Sequence, residues 1–108
     1  MRQSFAVLWA RVAEKDLAGI IEYIASEDAG RALAVLNRIK RRAAGLEHMP
    51  KRGRIVPELR RQGISRFREI VVNPWRILYR IEGNTVYVVS VLDGRRNVED
   101  ILLERMLK

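Results

Sequence analysis

The chain has 108 residues with no cysteine, one histidine and three prolines. Without cysteine there are no disulfides and no thiolate metal sites, and this usage suits a reducing cytoplasm, the expected location. One histidine and scattered carboxylates make no ligand cluster at a recognised metal spacing. His48 falls where a helix is expected to end, a position in which an imidazole suits the helix dipole. The same shortage leaves no serine–histidine or cysteine–histidine nucleophile. No glycine-rich loop joins a strand to a helix, so no phosphate cradle is indicated and no cofactor is expected. Long hydrophobic runs are missing too. Phe5 to Ala10 is closed by Arg11, too short for a signal-peptide core, and nothing is long enough to span a membrane. There is no repeat or low-complexity tract, and the length suits one domain over residues 1–108.

Acid is scarce relative to base. Lys and Arg number 21 against 13 Asp and Glu, giving a net charge of +8 and a pI near 10.8. Such a balance implies an acidic partner, either nucleic acid, a nucleoprotein or an acidic protein. Between Lys51 and Arg80, nine basic residues stand against Glu58 and Glu69, an excess of seven. The plainer reading of this stretch is a solvated basic surface that keeps the chain soluble.

What is present in quantity is patterned apolar sequence, 48% of the chain. Phe67 to Val72, Trp75 to Glu82 and Thr85 to Leu92 are rich in β-branched and aromatic residues at strand length. Asn73-Pro74 and Gly83-Asn84 separate them, and gaps this short demand an antiparallel meander. The middle strand alternates Trp75, Ile77, Tyr79 and Ile81 with Arg76, Leu78, Arg80 and Glu82. In the first strand either trio could face the core, resolved by a bulge at Arg68 or by Arg68 snorkelling at the sheet edge.

Ser4 to Trp9 reads as a short first strand. A helix is expected from about Ala10 to Ser26, with Ala13, Leu17, Ile20, Ile21 and Ile24 on one stripe. Ser26-Glu27-Asp28 breaks it and offers a cap for the next. A second helix follows from about Ala29 to Leu46, with Leu33, Leu36, Ile39, Ala43 and Leu46 as its stripe and a basic outer face. The short connection makes the two an antiparallel hairpin, laid on the apolar face of the meander. The segment from His48 to Gly63 reads as a long loop pinned by Ile55 and Leu59, with a short turn of helix or 3₁₀ inside it. Asn97 looks like the cap of a short C-terminal helix from about Val98 to Leu107. The fold class is α+β: an N-terminal strand, a helical hairpin packed on an antiparallel meander, and a C-terminal helix.

The charged constellation is a set of arginines. Arg76 and Arg80 are expected to project from the open sheet face, Arg95 and Arg96 stand just past the third strand of the meander, and Arg54 lies on the long loop. Guanidinium forks suit phosphates and carboxylates alike. With Leu78 between two arginines, the open face suits an acidic amphipathic peptide. Basic groups also stabilise charge on a transferring phosphate, but RNA cleavage wants a base and an acid as well, for which Glu58, Glu69 and distant tyrosines are the candidates.

Across nearly its full length the chain resembles the RelE/ParE superfamily of bacterial type II toxins. The matching pieces include Trp9, Ala13, Asp16-Leu17, Ile20, Tyr23-Ile24, Leu46 and Pro50, then Gly53-Arg54, Val56-Pro57-Glu58-Leu59, Arg68-Glu69, Arg76 to Ile81, and Gly94-Arg95-Arg96. The resemblance implies a small cytoplasmic toxin neutralised by a cognate acidic antitoxin. It implies either ParE-like inhibition of DNA gyrase, which is not enzymatic, or RelE-like cleavage of messenger RNA on the ribosome. RelE-like nucleases resemble one another in two strand lysines, two arginines and a C-terminal tyrosine. Here Phe67 and Glu69 stand where the lysines would be, Arg76 and Arg95 match the arginines, and Ile101 or a neighbour replaces the tyrosine. A YoeB-like subgroup uses a glutamate that Glu58 matches, yet no histidine or tyrosine follows Leu92. The gyrase branch is therefore favoured. The alternatives are a nuclease using Arg76, Arg95 and Glu58, or a non-toxic relative that only binds antitoxin. Expected target-binding residues are Arg54, Arg95 and Arg96. Expected antitoxin-binding residues are Trp9, Tyr23, Arg76, Leu78 and Arg80, with plain core packing as the other reading of Trp9 and Tyr23.

Overall fold

The computed structural model describes residues 4–106. Strand β1 (Ala6–Trp9) leads into helices α1 (Arg11–Ala25) and α2 (Ala29–Ala44), which a 3₁₀ turn at Gly45–Glu47 closes. Then come β2 (Arg54–Ile55), the single-turn helix α3 (Pro57–Arg60), the strands β3 (Phe67–Val72), β4 (Trp75–Glu82) and β5 (Thr85–Asp93), and helix α4 (Val98–Met106). Residue 107, the expected end of the last helix, lies outside the described residues. The expected strands, hairpin and C-terminal helix are all present, with ends shifted by a residue or two.

The sheet has five strands in the order β1-β5-β4-β3-β2. The meander is antiparallel, while β1 pairs parallel to β5, Ala6 opposite Thr85 and Trp9 opposite Val88. The β4–β5 turn rests on Gly83, at φ +57°, a conformation that favours glycine. The opposite edge, β2, falls within the long loop expected from His48 to Gly63. Its two residues are too few for any periodic signal, and only pairing with Arg68 and Glu69 makes them a strand.

The hairpin lies on one sheet face. Ala13, Leu17 and Ile24 of α1 and Ala32, Val35 and Ile39 of α2 meet Ile70, Val72, Trp75, Ile77, Tyr79, Val86, Val88 and Val91. The Asp28 carboxylate caps α2 by accepting from the Arg31 N–H at 3.0 Å. The stripe of α2 is rotated from its expected position. Ala32 and Val35 are buried, whereas Leu33 is 59% exposed. The small side chains bring the helix close to its neighbours, and Leu33 turns to the rim. In β3, Ile70 and Val72 face the hairpin, and Arg68 reaches the sheet edge, donating to the Gly53 carbonyl at 2.8 Å. The bulge lies elsewhere, between β4 and β5, where Leu78 pairs with Ser90 but Tyr79 with Val88, leaving Val89 as the extra residue.

The expectation of an open arginine face is corrected here. Arg76, Leu78 and Arg80 do point away from the hairpin, but α3 and α4 fold across that face. Val56, Leu59, Leu78, Leu92, Val98 and Leu102 form a second core there. Leu78 is fully buried and Arg76 only 8% exposed. Leu78 and Leu92 need apolar cover, and Leu59 of α3 with Val98 and Leu102 of α4 supply it.

Candidate functional site

A four-residue charged network lies on this face. Arg76 rises from β4 and its Nε donates to Glu69 Oε1 of β3 at 2.7 Å. Its two outer nitrogens donate to Glu58 of α3, Nη1 to Oε2 at 2.7 Å and Nη2 to Oε1 at 2.6 Å. Arg54 of β2 completes the chain, its Nε donating to Glu69 Oε2 at 2.7 Å. The Glu69 side chain is fully buried and that of Glu58 17% exposed. Hydrogen bonds from Arg76 hold the Glu58 carboxyl down to about 2, against an opposing push from burial. The same bonds push Arg76 above its ordinary value. Two arginines and two glutamates cancel, so the excess of seven in this stretch is carried by the other seven basic residues, and Arg76 is not one of them.

This network depends on a close approach at Gly53. The Gly53 N–H donates to the Tyr79 hydroxyl at 3.0 Å, and that hydroxyl donates to the Pro50 carbonyl at 2.7 Å. Burial pushes the Tyr79 phenol up. The strand β2 and the start of α3 are thereby fixed against β3 and β4, which seats Glu58 opposite Arg76.

A second network ties α1 to α4. The Arg105 Nη1 and Nη2 donate to Asp16 Oδ2 and Oδ1 at 2.9 and 2.8 Å, and Nη1 also donates to Ser90 Oγ at 2.8 Å. Asp16 Oδ2 further accepts the Val91 N–H at 3.0 Å. Strand β1 ends at Trp9, short of Val91, so the carboxylate takes over where the parallel ladder stops. Neither partner was singled out from the sequence for this role. The available signal was Asp16 itself, a charge at helical spacing between Ala13 and Ile20 on an apolar stripe.

The residues expected to bind antitoxin are split among three grooves. Trp9 is half-buried and lines a groove between α1 and α2 with Leu17, Ile21 and Leu36. Tyr23 is 71% exposed, so core packing does not account for it. It stands in a cleft bordered by Arg31, Arg95 and Arg96. Arg80 lies in a third groove, floored by Val89 and edged by Val12 and Met106. There it pairs with Glu82 and stacks over the Tyr87 ring at 4.6 Å. Leu78 lies beneath this groove, and Arg76 is held in its network.

Of the expected target-binding residues, Arg95 and Arg96 share the turn after β5. Asp93 accepts from the Arg95 backbone N–H at 2.9 Å, from Nε at 3.0 Å and from Nη2 at 2.7 Å, and these bonds lower the Asp93 carboxyl. Arg54 sits on the far edge strand, joined to this turn only through Glu69 and Arg76, whose stem packs on Gly94. Among the described residues, no three His, Cys, Asp or Glu side chains converge as metal ligands, and no helix is long and apolar enough to cross a membrane.

A helical hairpin on a five-stranded sheet with a crossing C-terminal helix is the architecture of RelE/ParE toxins. The chain is similar to the chromosomal ParDE system of P. aeruginosa, with a TM-score of 0.70 and 17% identity over 82% of this chain and 95% of that one. It is also similar to the RelBE2 toxin–antitoxin complex of Mycobacterium tuberculosis, with a TM-score of 0.62 and 22% identity over 86% and 94%. Residues 7–98 match the family described as ParE toxin of type II toxin-antitoxin system, parDE, and the chain belongs to that family. Toxin ParE3 of Caulobacter vibrioides is 40% identical over 67 residues, which cover 62% of this chain and 63% of that relative's length.

Proposed function

We propose that this ParE-family toxin arrests growth by inhibiting DNA gyrase, without itself being an enzyme, and that a cognate acidic antitoxin neutralises it. The observation that carries the reading is the sequestration of Arg76 and Glu58. A RelE-like or YoeB-like nuclease would need Arg76 free for a phosphate and Glu58 basic enough to accept a proton. Here Arg76 directs its nitrogens at two carboxylates within the fold. Glu58, held at about 2, is a weak base at neutral pH. Of the candidate nuclease set only Arg95 is exposed, and Asp93 already holds it. The test is a supercoiling assay with purified toxin, gyrase and relaxed plasmid. Supercoiling is expected to stop, with protein-linked cleaved DNA accumulating. Unchanged supercoiling, with messenger RNA cut during translation, would overturn the reading.

For the antitoxin, the groove at Arg80 is favoured over the other two. Val12 and Met106 are 48% and 40% exposed on its edges, around a cation. An apolar groove with a cation in its lining suits an acidic amphipathic segment. Arg80→Glu is expected to weaken antitoxin binding about tenfold or more in calorimetric titration, through lost attraction and new repulsion. Unchanged affinity would place the docking surface elsewhere.

A further inference from the structure

We propose that the cleft between α1, the first turn of α2 and the β5–α4 turn binds single-stranded nucleic acid, with Lys15, Arg31 and Arg96 meeting backbone phosphates and the Tyr23 ring stacking on a base. The site goes beyond the gyrase reading and lies apart from the Arg80 groove, although it takes in Arg96, an expected target-binding residue, and Tyr23, an expected antitoxin-binding one.

The cleft, about 660 Å³, is walled by cations from three separate elements: Lys15 on α1, Arg31 on α2, and Arg96 after β5. All three are exposed, and none makes an ion pair among the described residues. The carboxylates in the wall are already matched, Asp16 by Arg105 and Asp93 by Arg95. The lining therefore holds five cations against two carboxylates, and Asp93 faces Arg96 as well as Arg95, leaving a net excess of three positive charges in mutual repulsion. A polyanion relieves that repulsion, and charges strung along a groove suit successive phosphates better than one isolated anion.

The aromatic side chain selects among polyanions. Tyr23 is the most exposed large apolar or aromatic side chain among the described residues, and it stands in this cleft. An exposed ring beside guanidinium groups is a stacking platform for an unpaired base. An acidic amphipathic peptide would instead need an apolar trough. Trp75 and Ile24 are buried in the core and Ile20 is half-buried, which leaves little apolar surface for one.

The test is fluorescence anisotropy with short labelled oligothymidylate and oligouridylate, across a salt series, with polyglutamate as a competitor. The triple variant Lys15→Ala, Arg31→Ala, Arg96→Ala is expected to bind about tenfold more weakly or worse. Its salt slope should fall by about two, three contacts at roughly 0.7 each. The control triple Arg38→Ala, Arg41→Ala, Arg42→Ala removes the same charge from the exposed face of α2 and should lose far less. Tyr23→Ala should weaken binding about fivefold or more with the slope unchanged, and Tyr23→Phe should retain it. Tighter binding of one oligonucleotide identifies DNA or RNA as the natural source, and either supports the site. Equal losses in the two triples, no effect of Tyr23→Ala, or polyglutamate competing as well as the oligonucleotides would overturn it. Circular dichroism melts check folding. If the triple variant does not fold, single Arg31→Ala and Arg96→Ala give the same comparison, each lowering the slope by about 0.7.

Discussion

Arg76→Ala is expected to destabilise the fold by about 3–5 kcal/mol, read as a lowered urea midpoint at neutral pH. The substitution leaves Glu58 and Glu69 facing one another with the shared cation gone. Glu69, whose side chain is fully buried, keeps Arg54 on one oxygen, which favours the lower end of that range. Domains of this size are held by only about 5–15 kcal/mol, so the loss is a large fraction of the total. Arg76→Lys should recover part of it, since the charge survives and the fork does not. The pH dependence follows from Glu58. Its folded carboxyl is lowered from 4.5 to about 2, so the stability it contributes is present above about 4.5 and is lost as the pH falls toward 2. Wild type and variant should therefore converge over that acidic window. A loss below about 1 kcal/mol at neutral pH would mean that the network is not a compensated buried set.

Gly53→Ala is expected to cost about 2–3 kcal/mol by the same measurement. A Cβ at this position would enter the van der Waals shell of the Glu69 carbonyl oxygen and lie 2.7 Å from the Tyr79 hydroxyl oxygen. The first obstacle is backbone in a paired strand and the second a buried ring, so neither yields easily. Moving β2 outward would break the Gly53–Tyr79 hydrogen bond and loosen Arg54 from Glu69. Gly19→Ala in the middle of α1 is the matched control. Nothing lies within 4 Å of its Cβ position, and the change should stabilise the helix by about 0.5–1 kcal/mol. Equal effects at the two glycines would rule out close approach as the cause.

The elements of this fold were legible because each carries its own local signal. Strand alternation in Trp75 to Glu82, helical spacing in Ala13 to Ile24 and the turn chemistry of Gly83-Asn84 all act between near neighbours. The family likeness was legible for the same reason, through short motifs kept in order. The candidate site was legible as residues, arginines above all with Glu58 and Glu69 beside them, but not as pairs. Which of them are free depends on carboxylates far away in sequence: Glu58 is 18 residues from Arg76, and Asp16 is 89 from Arg105. Burial of Leu78 likewise required knowing where α3 and α4 come to rest.

The sequence by itself determined the order and type of the elements, the apolar face of the meander that receives the hairpin, and the strong positive charge. The tertiary structure alone decided that the second sheet face is covered, that Arg76 is neutralised within the fold, and that Lys15, Arg31 and Arg96 share a cleft beside Tyr23. The division has a physical cause. Periodicity and turns are set by neighbouring residues along the chain, whereas the pairing of charges and the covering of apolar surface are set by distance in space.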